Sequence, residues 1–204
     1  QVTDVDFKEY GTLMTPTLLI VLLKTLSNLN LIENKNEEIN KTVLTIEKQK
    51  YTDVGQKIAE STFNKIPVLY MQNNLKSIAM YWKNNLNRLS ISPAFTTTFP
   101  DESYDEISTF ALPLMSDFFI LTLSFDPETK EEHNISDAMG ISKDLIKNKG
   151  VSITEIRIKG TNVLTKIMSA MLLSSTTALY LREKIIDEND IFEPNKLVIK
   201  VLKK

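Results

Sequence analysis

IPVLYM (66–71), LKSIAMYWKNNLNRL (75–89) and AFTTTF (94–99) follow one another with short polar or Pro-containing breaks between them. The first and third are about the length of a strand and rich in β-branched or aromatic residues. The middle one spaces its apolar residues three and four apart, as a helix does. A strand, a helix and a second strand so closely joined pair their strands in parallel. The same alternation continues, with strands expected at Phe118–Phe125 and Ser152–Ile158 and helices at Ser136–Lys149 and Thr161–Ile186. The fold class is therefore α/β, a three-layer αβα sandwich around a mostly parallel sheet covered on both faces.

Local punctuation agrees. Lys147 and Lys149 sit in the last turn of one helix, and Gly150 stands where a left-handed residue ends it. Gly160 separates the fourth strand from a helix that Thr161 or Asn162 can cap. Ahead of the first strand, Ile39, Val43 and Ile46 mark an amphipathic helix over 37–47, and another follows at about 53–63. The segment Leu18–Leu23, extended to about Leu31, reads as a buried helix with Pro16 in its first turn. Residues 1–50 are thus expected to form an added N-terminal helical segment, and 51–204 the α/β domain. The tail Pro194–Lys204 carries Leu197, Val198, Val201 and Leu202, enough for a closing helix. Because the chain opens on Gln1, and its first ten residues resemble the exposed end of something longer, a fragment or processed chain is expected.

Composition narrows the function classes. There are 24 Lys plus Arg against 26 Asp plus Glu, for a formal charge of −2, without a long run of one sign. A general nucleic-acid partner is not expected, since such proteins neutralise phosphates with a basic face. With no cysteine, disulfides, thiolate metal sites and a cysteine nucleophile are excluded, and the cytoplasm is the natural compartment. The apolar run near Leu18–Leu31 is interrupted by Lys24, Ser27 and Asn28 and is too short to span a membrane, while Asp4, Asp6 and Glu9 precede it where a signal peptide needs basic residues.

In open parallel sheets ligands bind beyond the carboxyl ends of the strands. Four such ends are legible: Gln72-Asn73-Asn74, Pro100-Asp101-Glu102-Ser103, Asp126-Pro127-Glu128-Thr129 and Lys159-Gly160-Thr161-Asn162. The last is the best anion candidate, because a cation, a glycine and a hydroxyl cluster at a helix start; its ordinary reading is a capped turn with a solvated lysine. The acids Asp101, Glu102, Asp105 and Glu106 suit a helix N-terminus better than a metal or an acid–base pair. His133 is the one histidine, in a polar stretch that reads as loop, so a His-rich metal site is impossible. Neither G-x-G-x-x-G nor G-x-x-x-x-G-K occurs, and no cofactor is indicated. Tyr81 and Trp82 stand at helical spacing with Ile78 and Met80, which reads as core rather than as a sugar-stacking platform.

One resemblance adds to this. The order Trp82-Lys83, Asn87, Pro100 and Glu106 resembles the bifunctional phosphoglucose/phosphomannose isomerases, which are built from paired SIS (sugar isomerase) domains. The segment 140–187, reading GISKDLIKNKGVSITEIRIKGTNVLTKIMSAMLLSSTTALYLREKIID, is similar to the family's later portion, and Ile199-Lys200-Val201-Leu202-Lys203 to its end. Residues 12–50 look like the helical link between the two SIS domains, although the Pro-Arg expected near its start is missing at Leu13-Met14. The first SIS domain and its Ser/Thr-rich phosphate loop have no counterpart here.

The resemblance implies a flavodoxin-like SIS domain acting on a hexose phosphate, as a homodimer or paired with another SIS domain. It also exposes two departures. The family's glutamate base and ring-opening histidine correspond to Arg88 and Tyr104. Arginine stays protonated and cannot accept a proton, and a tyrosine hydroxyl with a pKa near 10 is a poor shuttle at neutral pH. Lys203 matches the family's C-terminal lysine, Glu102 is a candidate substitute base, and Asn87, Lys159 and Thr161 are candidate substrate contacts. Weakened or lost aldose–ketose isomerisation is expected. An active isomerase with a base from Glu102 or a partner, and a non-catalytic dimerising sugar-phosphate sensor, are the alternatives.

Overall fold

A computed structural model describes residues 14–49, 51–99 and 117–185. Three helices come first, α1 (Thr15–Asn28), α2 (Asn36–Lys48) and α3 (Tyr51–Thr62). Then follow β1 (Ile66–Gln72), a short 3-10 turn (Asn73–Leu75), α4 (Lys76–Arg88), β2 (Phe95–Phe99), β3 (Phe118–Phe125), α5 (Lys130–Asn148), β4 (Ser152–Ile158) and α6 (Val163–Ile185). All four strands lie parallel in the order β2-β1-β3-β4, with Val68 of β1 opposite both Phe95 and Ile120, and Phe119 of β3 opposite Ser152.

Alternation along the strands divides the interior in two. Leu69, Met71, Phe119, Leu121 and Leu123 face a large core closed by α3, α4 and α6. Val68, Tyr70, Phe99 and Ile120 face the opposite way, onto Met139 and Ile146 of α5. The near-continuous apolar strands follow from this, since a parallel sheet is buried on both sides. The chain steps from β1 to β2 in one direction and from β3 to β4 in the other. Crossovers of one hand running in opposite directions fall on opposite faces, which is where α4 and α5 lie.

α3 meets α6 closely at Gly55. A Cβ there would come 2.8 Å from Thr176 Oγ1, 3.0 Å from Thr176 Cβ and 3.1 Å from the Thr177 nitrogen, so glycine permits the approach. Hydroxyls line the buried side of α6: Tyr51 donates to Ser169 at 2.5 Å, Tyr81 pairs with Ser175 at 3.1 Å, Asn85 donates to Ser174 at 3.0 Å, and Thr42 pairs with Thr165 at 2.9 Å. By length and composition α6 could cross a membrane, but most of it is buried in the fold. Trp82 is fully buried and Tyr81 nearly so, which makes both core residues.

Three expectations need correction. α1 is not buried within this chain: Leu18, Val21 and Leu22 are each more than half exposed, and of the helix only Ser27 is buried. Leu19, Ile20, Leu23 and Leu26 are partly covered, while the side of the helix that carries Leu18, Val21 and Leu22 stays open among the described residues. α5 begins at Lys130, six residues before the expected start, because Thr129 and Glu132 form a reciprocal capping box. His133 consequently belongs to a helical first turn, its N–H bonded to the Thr129 carbonyl, rather than to a loop. The expected closing helix at Pro194–Lys204 lies outside the described residues.

Candidate functional site

Where α4 and α5 part to opposite faces, between the carboxyl ends of β1 and β3, a cavity of about 600 Å³ opens. This is the topological switch point at which open α/β sheets bind ligands. Gln72 and Asn74 reach it from the end of β1, Asp126 and Glu128 from the end of β3, and Lys166 from the first turn of α6. Its apolar walls include Tyr81 and Phe125.

Each polar group is placed by local structure. Asn162 caps α6 by accepting from the Thr165 N–H at 2.7 Å, one of the two caps the sequence offered. The Lys166 side chain, only 6% exposed, follows in that turn, and its Nζ lies 2.5 Å from Glu128 Oε1 and 5.9 Å from the Phe125 ring centroid. A Cβ on Gly160 would sit 2.9 Å from Lys166 Cγ, so the glycine lets the turn after β4 press against that lysine. Backbone N–H groups of Glu128 and Thr129 hold the Glu132 carboxyl below its ordinary pKa, and this acid is committed to the cap. The Gln72 side chain is buried and its amide nitrogen has no hydrogen-bond partner.

Sequence reasoning located two of the strand ends that meet here but missed Lys166. The available signal was a cation four residues after a capping asparagine, in a helix with no other charged residue before Arg182. Lys159 and Thr161, the favoured anion contacts, are exposed beyond the end of β4, an edge strand, and do not line this cavity.

Asn87 and Arg88 lie at the other end of the sheet. Since α4 runs back against the strands, its last turn returns to their amino ends, where Arg182 of α6 donates to the Leu89 carbonyl at 3.4 Å. Arg88 is exposed there. Asn87 accepts from the Ala94 N–H at 2.9 Å, fixing the turn into β2, and borders a shallow cavity of about 420 Å³ with Lys83, Ile91 and Phe95. Ile91 adopts φ +56°, a left-handed conformation unusual for a β-branched side chain. The structure therefore does not bring Lys159 and Thr161 together with Asn87 and Arg88 in one chain, as a strand's length of sheet separates them. Glu102, Tyr104 and Lys203 lie outside the described residues.

Comparison with known proteins adds the following. The chain is 26% identical over 152 residues to a bifunctional phosphoglucose/phosphomannose isomerase of Aquifex aeolicus, a match covering 74% of this chain and 45% of that protein. It is 27% identical over 173 residues to the enzyme of the same name from Caldicellulosiruptor bescii, covering 79% and 50%. The chain thus spans about half the length of these curated relatives. Among solved structures, a glucosamine-6-phosphate deaminase of Thermotoga maritima superposes with TM-score 0.56 at 9% identity, over 85% of this chain and 53% of that one. A putative tagatose-6-phosphate ketose/aldose isomerase of Clostridium novyi does so with TM-score 0.53 at 13% identity, over 85% and 50%. These two likenesses show the fold alone. The family described as the bacterial phospho-glucose isomerase C-terminal SIS domain matches residues 52–185, most of the chain, and this protein belongs to it.

Proposed function

We propose that this chain binds a hexose phosphate beside α4 and that its aldose–ketose isomerase activity is lost or strongly weakened. The single observation that carries the reading is Arg88. The resemblance assigns the family's base to this position, where the chain holds a guanidinium, exposed at the end of α4, and a guanidinium cannot take the proton that moves between C1 and C2. Losing one positioned acid or base typically costs 10²–10⁴-fold in rate. Arg88 suits the opposite task, since its planar fork matches a phosphate. Lys83 and Asn87 line the shallow cavity at the same end of α4, where Arg88 itself is not part of the wall, and would add a second charge and an amide. Tyr104 would hydrogen-bond a ring oxygen, and Lys203 would approach the same ligand. Lys159 and Thr161 would meet it only from a neighbouring chain.

The reading divides the chain into a helical interface segment, 1–50, and an SIS domain, 51–204; the family match over residues 52–185 is in keeping with where that domain starts. The half-exposed leucines of α1 favour a second reading, a non-catalytic sensor that covers this face with another copy or another SIS domain. Fructose 6-phosphate incubated with the chain in D₂O tests catalysis directly. No deuterium at C2 above a heat-inactivated control is expected. Incorporation that disappears in Glu102→Gln would instead identify a substitute base, and incorporation that survives it a base from elsewhere.

A further inference from the structure

The cavity at the β1/β3 switch point plays no part in the proposed reading: it opens at the far end of the sheet from Arg88. Its chemistry is also unlike that of a phosphate site. Of the ionisable side chains on its wall, Asp126, Glu128 and Glu132 carry three negative charges and Lys166 one positive, a net charge of −2. That lysine is already held by Glu128 at 2.5 Å. A phosphate brought here would meet an unfavourable field and find its one cation engaged.

The wall nevertheless retains unused polar capacity. Gln72, 5% exposed, lines the cavity, its buried amide nitrogen has no hydrogen-bond partner, and a buried unpaired donor costs free energy until an acceptor reaches it. Asn74 and Ser77, both exposed at the start of α4 and the turn before it, offer donors and acceptors. The Asp126 carboxylate accepts only. Between these groups lie the apolar surfaces of Tyr81 and Phe125. Amides and a carboxylate around aromatic walls match a ring whose hydroxyls both donate and accept and whose C–H face is apolar. The volume, about 600 Å³, falls within the roughly 300–1,000 Å³ of small-molecule sites.

We infer that this crevice is a second ligand site that takes an unphosphorylated sugar, neutral or amine-bearing, and rejects its phosphate ester. Gln72 donates to one ring hydroxyl, Asp126 accepts from a hydroxyl or from the ammonium of a hexosamine, and the ring lies against Phe125. The inference is independent of any catalysis at Arg88.

Amide NMR of the ¹⁵N-labelled full chain tests it, with glucosamine, glucose and glucose 6-phosphate titrated in turn into the millimolar range. Glucosamine, and more weakly glucose, should shift the side-chain amides of Gln72 and Asn74 and the backbone around Asp126. The phosphate ester should leave those signals in place. Gln72→Leu should weaken binding at least about fivefold, the weight of one hydrogen bond. Asn74→Ala, at an exposed position where folding is not at stake, should weaken it comparably. Absence of shifts with either unphosphorylated sugar would overturn the inference. So would shifts undiminished in both variants, or equal shifts with glucose 6-phosphate. Shifts confined to the Lys83–Phe95 region would also overturn it, by assigning all sugar binding to the other end of the sheet.

Discussion

Replacing Gly55 by alanine should destabilise the protein, although the same change in an ordinary helix interior stabilises it. Alanine gains about 1 kcal/mol of helix propensity over glycine. Against this, the new methyl would have contacts of 2.8, 3.0 and 3.1 Å to Thr176 Oγ1, Thr176 Cβ and the Thr177 nitrogen. The hydroxyl is not free to swing away, because it bonds the Leu172 carbonyl at 3.0 Å, and the Thr177 nitrogen belongs to the backbone of α6. Overpacking of this kind costs about 1–3 kcal/mol. Taking about 2 for three short contacts leaves a net loss near 1 kcal/mol, or about 2–4 °C in Tm for a chain of this size. Urea denaturation followed by far-UV circular dichroism measures the difference. Thr176→Ala removes the shortest contact, so the double variant should recover part of the loss and show a favourable coupling in a double-mutant cycle. A Gly55→Ala protein as stable as the parent, or more so, would refute the close approach of α3 to α6 on which the argument rests.

Other consequences are open to simpler checks. Thr129→Ala removes one half of the α5 capping box and should cost about 1 kcal/mol in the same denaturation assay. Lys143, 2.5 Å from Glu155, holds that carboxyl below its ordinary value, with Arg157 assisting. A depressed carboxyl contributes stability that is present above its unfolded pKa, about 4.5, and is lost as pH falls through the folded value. Lys143→Met should therefore lower stability by a few tenths of a kcal/mol at pH 7, since the pair is partly exposed, and by nothing measurable in strong acid. Comparing urea midpoints of the two proteins at pH 7 and about pH 2 reads this directly. Finally, Leu18→Lys with Leu22→Lys should reduce self-association in light scattering if a second copy covers α1, while leaving the unfolding free energy of the monomer within about 0.5 kcal/mol.

Much of the fold was readable in the residues. Three of the strands begin where the apolar runs do, β2 starts one residue later, at Phe95, and Gly150 takes φ +84° at the end of α5 as its place after Lys149 suggested. What escaped has physical reasons. The early start of α5 lay in a reciprocal pair, Thr129 with Glu132, that apolar periodicity cannot see. The exposure of α1 escaped because an apolar sequence says that a surface needs covering without saying which chain covers it. For the site, the strand ends were identifiable one by one, but which of them meet depends on strand order. That order places β4 at the edge and brings β1 beside β3, so Lys159 is left outside and Lys166, unremarked in the sequence, is drawn in.

The hydroxyls along α6 bear on how this protein reaches its final form. A helix so rich in leucine, alanine and methionine could pack in several nearly equivalent positions, each sliding by a turn and each burying similar apolar area. Thr165, Ser169 and Ser174 limit that degeneracy, because in the alignment adopted they meet Thr42 on α2, Tyr51 on α3 and Asn85 on α4, partners that a slipped helix leaves behind. Any slipped arrangement strands several donors and acceptors in a dry interface, at about 1–3 kcal/mol apiece. The polar groups add little net stability in the correct arrangement, yet they make the incorrect ones expensive, and so turn a greasy, interchangeable surface into a keyed one.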